Sequence, residues 1–129
     1  MMKLPCFASN VQAGFPSPAD DAIEQQLDLN ALVVKHPAAT FFVRVSGESM
    51  SGANIHSGDI LVVDRALKRP EGKIVVALVD GEFTVKRFVR KEKECYLIAE
   101  NPSCPPLKID EGSDFRIWGV VTYVIHKAG

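Results

Sequence analysis

Apolar residues are unevenly spread along the chain. From residue 40 they gather in short runs of strand formers: Phe41-Phe42-Val43-Arg44-Val45, Ile60-Leu61-Val62-Val63 and Ile74-Val75-Val76-Ala77-Leu78-Val79. Runs of this length, rich in β-branched and aromatic residues and bounded by Gly, Pro and Asp, predict buried strands. Asp80-Gly81 then predicts a tight hairpin, because both central positions of such a turn favour positive φ. The return strand is Glu82 to Val89. After a polar tip from Arg90 to Glu94, Cys95 to Ala99 forms the next strand, and Asn101 to Pro106 reads as a turn-rich loop. Phe115 to Ile125 predicts one long or bulged strand, bent at Gly119.

The first third of the chain differs. Gly14-Phe15-Pro16-Ser17-Pro18 is barred from helix interiors, since proline lacks the N–H and pushes its predecessor to extended backbone, so residues 1–19 are expected to form an extended, mobile arm. In residues 20–35, Asp28 is placed to cap a short helix through Leu29, Leu32 and Val33, ended at His36-Pro37. The predicted class is mainly β, with a helical turn or two and an N-terminal arm. No repeat or low-complexity tract interrupts it.

Composition adds limits. A chain of 129 residues is one domain's worth, and 47% apolar with 24% charged residues is ordinary globular composition. The net charge of −1 excludes a general nucleic-acid coat, which needs a strong basic excess, but not a local basic patch. Cys6, Cys95 and Cys104 make an odd set without C-x-x-C spacing, read as reduced thiols. His36, His56 and His126 lack metal-ligand spacing and are read as structural or surface residues, so neither a metal nor a cofactor is expected. Val11-Gln12-Ala13 resembles the end of a secretory signal, but Leu4 to Ser9 supplies no apolar run of the roughly 7–15 residues such a signal needs. No stretch approaches the roughly 18 apolar residues of a membrane span, so a soluble, cytoplasmic protein with no membrane partner is expected.

Candidate chemistry is sparse. Ser46-Gly47-Glu48-Ser49-Met50 follows directly on a predicted strand, where a glycine turn can lift a serine hydroxyl into a cleft. Such a hydroxyl needs a base, and no His–Asp arrangement offers one. A lysine can serve if burial lowers its pKa. Lys86 is the candidate, inside an apolar strand and on one face with Thr84 and Phe88. Each residue alone also has a plain reading: Lys86 as a solvent-facing charge beside Glu82 and Thr84, Ser49 as a turn serine. Lys86, Arg87, Arg90, Lys91 and Lys93, interleaved with Glu92 and Glu94, read as a solvated hairpin face or as a polymerase or DNA contact. Trp118 reads as core or dimer interface rather than a ligand platform.

In combination, Ser46-Gly47-Glu48-Ser49-Met50, Gly58-Asp59-Ile60-Leu61-Val62-Val63-Asp64 and Gly81-Glu82-Phe83-Thr84-Val85-Lys86-Arg87 resemble the LexA/UmuD family of self-cleaving Ser–Lys proteins in order, spacing and wording. Serine and lysine stand 37 positions apart, as that resemblance expects. Ala13-Gly14-Phe15-Pro16-Ser17-Pro18 is similar to the cleavage region of UmuD-type members, and Asp28-Leu29-Asn30 and His36-Pro37-Ala38-Ala39-Thr40 also match. The resemblance runs from about residue 12 to residue 125. It implies Ser49 as nucleophile, Lys86 as general base, Ala13–Gly14 as the bond cut, and backbone N–H groups around Ser49 as the oxyanion hole, with no metal or organic cofactor. It divides the chain into a cleavable arm, 1–13, and a Ser–Lys autopeptidase and dimerisation domain, 14–129. Two departures stand out: only 12 residues precede Ala13, and Ala replaces the Cys that UmuD-type chains carry before the scissile glycine.

The implied function is that of an SOS-response protein. A RecA–single-stranded-DNA filament would stimulate cleavage, and the processed form would act as accessory subunit of a Y-family translesion polymerase of the polymerase V type. A homodimer is expected, because the long strand Phe115 to Ile125 is read as an edge that a twin would cover. Direct sequence-specific DNA binding is not expected. A LexA-like transcriptional repressor is the alternative, but 13 residues before the cut cannot hold a helix-turn-helix, so it applies only to a C-terminal fragment. A signal-peptidase-like enzyme would need a membrane anchor. A pure dimerisation module is the reading to be favoured if Ser49 and Lys86 stand far apart.

Overall fold

The computed structural model describes residues 3–7, 23–110 and 112–129. These fall into two compact units, one ending at Lys35 and the other running from His36 to Gly129. Ala13 and Gly14 lie outside the described residues.

In the first unit, strand β1 (Lys3–Phe7) pairs antiparallel with β2 (Ile23–Asp28), with a register shift between Cys6 and Phe7. The sequence pattern had assigned no strand to 23–28, because Glu24-Gln25-Gln26 breaks the alternation that marks one. Helix α1 (Leu29–Val33) follows, and the Asp28 carboxylate accepts from the N–H groups of Asn30 (3.1 Å) and Ala31 (3.3 Å). That is the N-cap the sequence predicts, satisfying two donors the first turn leaves free.

The second unit is a seven-stranded antiparallel sheet of β3 (Thr40–Arg44), β4 (Ile60–Asp64), β5 (Ile74–Val79), β6 (Glu82–Lys91), β7 (Glu94–Ile98), β8 (Leu107–Ile109) and β9 (Phe115–Ile125). Their spatial order is β3-β4-β9-β5-β6-β7-β8. Apolar residues cover both faces, so the strands read as continuous runs rather than alternating ones. Along β5, Val76 enters a cluster with Met50, Ile55, Leu61 and Val63, while Val75 and Ala77 turn to the other face and join Phe88, Leu97 and Val120. Asp80 (φ 48°) and Gly81 (φ 85°) form the β5–β6 turn as expected. Strand β8 was not predicted. It has three residues, too few to carry a period.

The expectation that Phe115 to Ile125 is an edge strand is corrected. Strand β9 is internal, pairing with β5 over Phe115–Val120 and with β4 over Val120–Ile125. Its eleven residues reach past any single partner, and it joins the two halves of the sheet. The ends of the sheet are β3 and β8. The bend near Gly119 is a pair of bulges: the register shifts opposite Val76/Ala77 and opposite Val62/Val63. A Cβ on Gly119 would stand 2.5 Å from Val63 Cγ1, so only glycine allows this crossing. Among the described residues no helix is long and apolar enough to cross a membrane.

Candidate active site

Strand β3 delivers Ser49. At the strand exit, Val45 N–H donates to the Asp59 carbonyl (2.8 Å) and Gly58 N–H to the Val45 carbonyl (2.9 Å). Gly47 takes φ 95°, turning the chain sharply. Met50, 2% exposed, then plunges into the core and fixes the residue before it. A 3-10 turn, Ser51–Ala53, closes the loop. The far side is fastened to the segment after β7. Gly52 N–H donates to the Glu100 carbonyl (2.6 Å), Glu100 N–H to Met50 Sδ (3.3 Å), and Asn101 Nδ2 to the Glu48 carbonyl (3.0 Å). The Glu48 side chain accepts from Ser57 N–H at 3.2 Å and meets His56 Nδ1 at 3.1 Å. Ser49 therefore sits on a loop held from three sides.

Strand β6 delivers Lys86. It lies opposite Val75, and Thr84 lies opposite Ala77, so both stand on the face of the second apolar cluster rather than a solvated one. From this half-buried position Lys86 Nζ lies 3.0 Å from Ser49 Oγ, 2.7 Å from Thr84 Oγ1 and 3.2 Å from the Val85 carbonyl. Burial holds the Lys86 amine below the ordinary lysine value, with Cys104 opposing that shift. Desolvation favours the neutral amine, the form able to accept a proton.

Beside the pair opens a cleft of about 460 Å³ whose walls include Val43, Val45, Ile55, Val76, Phe83 and Trp118. Trp118 packs partly against the core and also lines this cleft. Its ring meets Phe41 (5.2 Å between centroids) and Phe83 (5.9 Å), and the Arg65 guanidinium lies 4.6 Å above it. The cleft is thus an apolar trough with a hydroxyl and an amine at its side.

The histidines are engaged elsewhere. His36 Nδ1 lies 2.6 Å from Asp64, His126 Nδ1 2.6 Å from Asp59, and His56 meets Glu48. Among the described residues no group of three or more His, Cys, Asp or Glu side chains could hold a metal. Cys95 and Cys104 are free thiols.

Ser49 and Lys86, chosen from sequence, are brought together. Thr84 was seen to share the lysine's face but was given no role. Gly52, Glu100 and Asn101 were missed, since their contacts span about half the sheet domain's sequence and leave no local signal.

Comparison with known proteins bears on what such a site is. The peptidase S24-like family matches residues 5–122. Protein ImpA of Salmonella typhimurium is 50% identical over 131 residues, covering 95% of this chain and 83% of ImpA. Protein MucA of Escherichia coli is 46% identical over 121 residues, covering 93% of this chain and 82% of MucA. The LexA repressor of Ectopseudomonas mendocina is 40% identical over 118 residues, covering 91% of this chain but 57% of the repressor. These likenesses agree with the resemblance drawn from the sequence motifs.

Proposed function

Because this chain belongs to the peptidase S24-like family, we propose that it is a self-cleaving serine endopeptidase in which Ser49 attacks the Ala13–Gly14 bond and Lys86 is the base. The observation that carries this reading is the 3.0 Å approach of a desolvated lysine amine to a serine hydroxyl beside an apolar cleft. A neutral amine has two N–H donors and one lone pair. Thr84 Oγ1 and the Val85 carbonyl can take the two donors, which leaves the lone pair for the Ser49 O–H.

The steps follow. Ser49 Oγ adds to the Ala13 carbonyl carbon as its proton passes to Lys86 Nζ. Backbone N–H groups around Ser49 steady the oxyanion. When the C–N bond breaks, Lys86 returns the proton to the Gly14 nitrogen, freeing that amine and leaving residues 1–13 as an ester on Ser49. Water, deprotonated by the neutral lysine, then hydrolyses the Ala13–Ser49 ester. Ala13 and Gly14 suit this path because neither carries a bulky side chain to hold the carbonyl away from Ser49. No metal or organic cofactor enters.

The wider role is that of an SOS-response protein in the cytoplasm. A RecA–single-stranded-DNA filament stimulates the cut, and the product serves as accessory subunit of a Y-family translesion polymerase. Similarity to ImpA and MucA over more than four-fifths of their length supports this role over that of a repressor fragment. A homodimer fits the apolar side chains left exposed at Phe42, Tyr123 and Ile125. The test is incubation with activated RecA filament followed by intact-mass measurement. One cut is expected, giving a product that begins Gly14-Phe15-Pro16. A different new N-terminus, or no cut at alkaline pH or with filament, removes the reading.

A further inference from the structure

More than half of the positive charge is gathered in two segments distant in sequence. Residues 65–73 carry Arg65, Lys68, Arg69 and Lys73 against Glu71, and residues 87–94 carry Arg87, Arg90, Lys91 and Lys93 against Glu92 and Glu94. Together they hold eight of the 15 basic residues and three of the 16 acidic ones. In a chain of net charge −1 they amount to +5, leaving −6 for everything else.

The fold joins the two segments. Gly72 N–H donates to the Phe88 carbonyl (2.8 Å), Phe88 N–H to the Lys73 carbonyl (2.9 Å), and Arg87 Nη1 to the Gly72 carbonyl (2.7 Å). Lys73 N–H closes a turn onto the Pro70 carbonyl (2.9 Å). The loop is thereby tied to β6 two residues before Arg90, roughly 7 Å along the strand. Two of the eight cations are already committed: Arg87 to Glu100 at 2.6 Å, and Arg65 to the Trp118 carbonyl and ring. Lys68, Arg69, Lys73, Arg90, Lys91 and Lys93 are all exposed, and among the described residues no ion pair engages them.

The chemistry of the ridge selects its partner. Residues 68–73 and 90–94 include no large apolar side chain. A protein partner would need a cluster of apolar or aromatic anchors at the centre of the interface, and the two segments 65–73 and 87–94 expose only Leu67. A phosphate backbone asks only for cations, because binding is driven by release of its condensed counterions. We propose that this ridge binds the phosphodiester backbone of nucleic acid without regard to sequence. This surface lies outside the self-cleavage chemistry and does not depend on it.

The test is fluorescence anisotropy of the full chain with labelled oligothymidine, a labelled duplex and labelled polyglutamate. Binding to the single strand, the duplex or both is expected, and the tighter of the two identifies the source of the phosphates. Affinity should fall roughly 20- to 150-fold between about 50 and 200 mM salt if three or four phosphates are engaged. Arg69→Glu, Arg90→Glu and Lys93→Glu combined should weaken binding at least about tenfold and flatten the salt dependence. Arg116→Glu with Lys127→Glu, outside the ridge, should leave both unchanged. Should the triple variant misfold, Arg90→Gln alone is expected to give a smaller drop. No binding to either nucleic acid at the lowest salt, equal binding to polyglutamate, or binding insensitive to the ridge variants would overturn the proposal.

Discussion

Lys86 in β6 and Lys108 in β8 carry the same ammonium group into opposite surroundings. Lys108 is exposed and pairs with Glu94 at 3.1 Å. Hydrogen bonding to that carboxylate, with its charge, holds the Lys108 amine above the ordinary lysine value. Glu94, bonded by Tyr96 and Lys108, is held below the ordinary carboxylate value. Among the described residues Lys86 has no carboxylate partner. Burial dominates, and its amine moves the other way. A charged partner stabilises the charged form and makes a fastening; desolvation without one stabilises the neutral form and makes a base. The difference lies in what the sheet folds around each side chain.

The hardest test of that contrast removes each lysine in turn. Lys86→Ala should reduce self-cleavage by at least about 10²–10⁴-fold, the usual worth of a positioned base, and Ser49→Ala should abolish it. Lys86→Arg should not rescue, since a guanidinium stays protonated at any workable pH. Lys108→Ala should cleave at the wild-type rate. Intact-mass time courses on folded proteins measure all four. Normal cleavage by Lys86→Ala would end the base assignment.

A second variant asks whether Ser49 must be held as well as present. A Cβ on Gly52 would collide with the Glu100 carbonyl oxygen, a backbone atom that cannot swing aside. Gly52→Ala should therefore push the Ser49 loop away from β6. A displacement on the order of 1 Å is enough to cost about 10²-fold in rate. The expected pattern is slow cleavage with a near-native circular dichroism spectrum. Wild-type cleavage rates would show that the loop adjusts without moving the serine.

The third test is the pH profile. A lowered Lys86 pKa means a larger neutral fraction at any given pH, so cleavage should rise with pH and level off above a midpoint below the ordinary 10.5. Lys108, shifted upward, stays protonated throughout that range. Lys108→Ala should leave the midpoint where it was. A midpoint at or above the ordinary lysine value would show that burial does not activate Lys86.

Much of this contrast was invisible in the sequence, for physical reasons. The strands were legible because β4 and β5 are buried on both faces and because Asp80-Gly81 permits only a tight turn. The Asp28 cap was legible because it is local. The burial of Lys86 was not: a lysine between Thr84 and Phe88 fits a wet face as well as a dry one, and only the pairing with Val75 and the arrival of the Ser49 loop decide it. The order of the sheet was hidden likewise, since nothing in Phe115 to Ile125 states that β4 and β5 flank it. Ser49 and Lys86 were chosen through their joint resemblance to a family, not through either residue alone.

The smallest expected effect concerns groups that resemble Lys108 rather than Lys86. Asp59 is almost wholly buried, yet its carboxyl is held below the usual carboxylate range, chiefly by the hydrogen bond with His126 and then by that from His56 N–H, against the opposing push of burial. Asp59 belongs to the Gly58-Asp59 segment that meets Val45 at the exit of β3, so its charge fastens the C-terminal residues to the base of the Ser49 loop. The sign follows from the depressed value. Stability from this carboxylate is present above the ordinary 3.8 and is lost as pH falls through 3.8 toward the lower folded value. Urea midpoints for wild type and Asp59→Asn should differ at neutral pH and converge in strong acid. Cleavage by the variant should stay close to wild type, because neither Ser49 nor Lys86 touches Asp59. A gap in midpoints that is the same at every pH would mean that Asp59 contributes shape rather than charge. In that case only Lys86, among the residues compared, would owe its behaviour to titration.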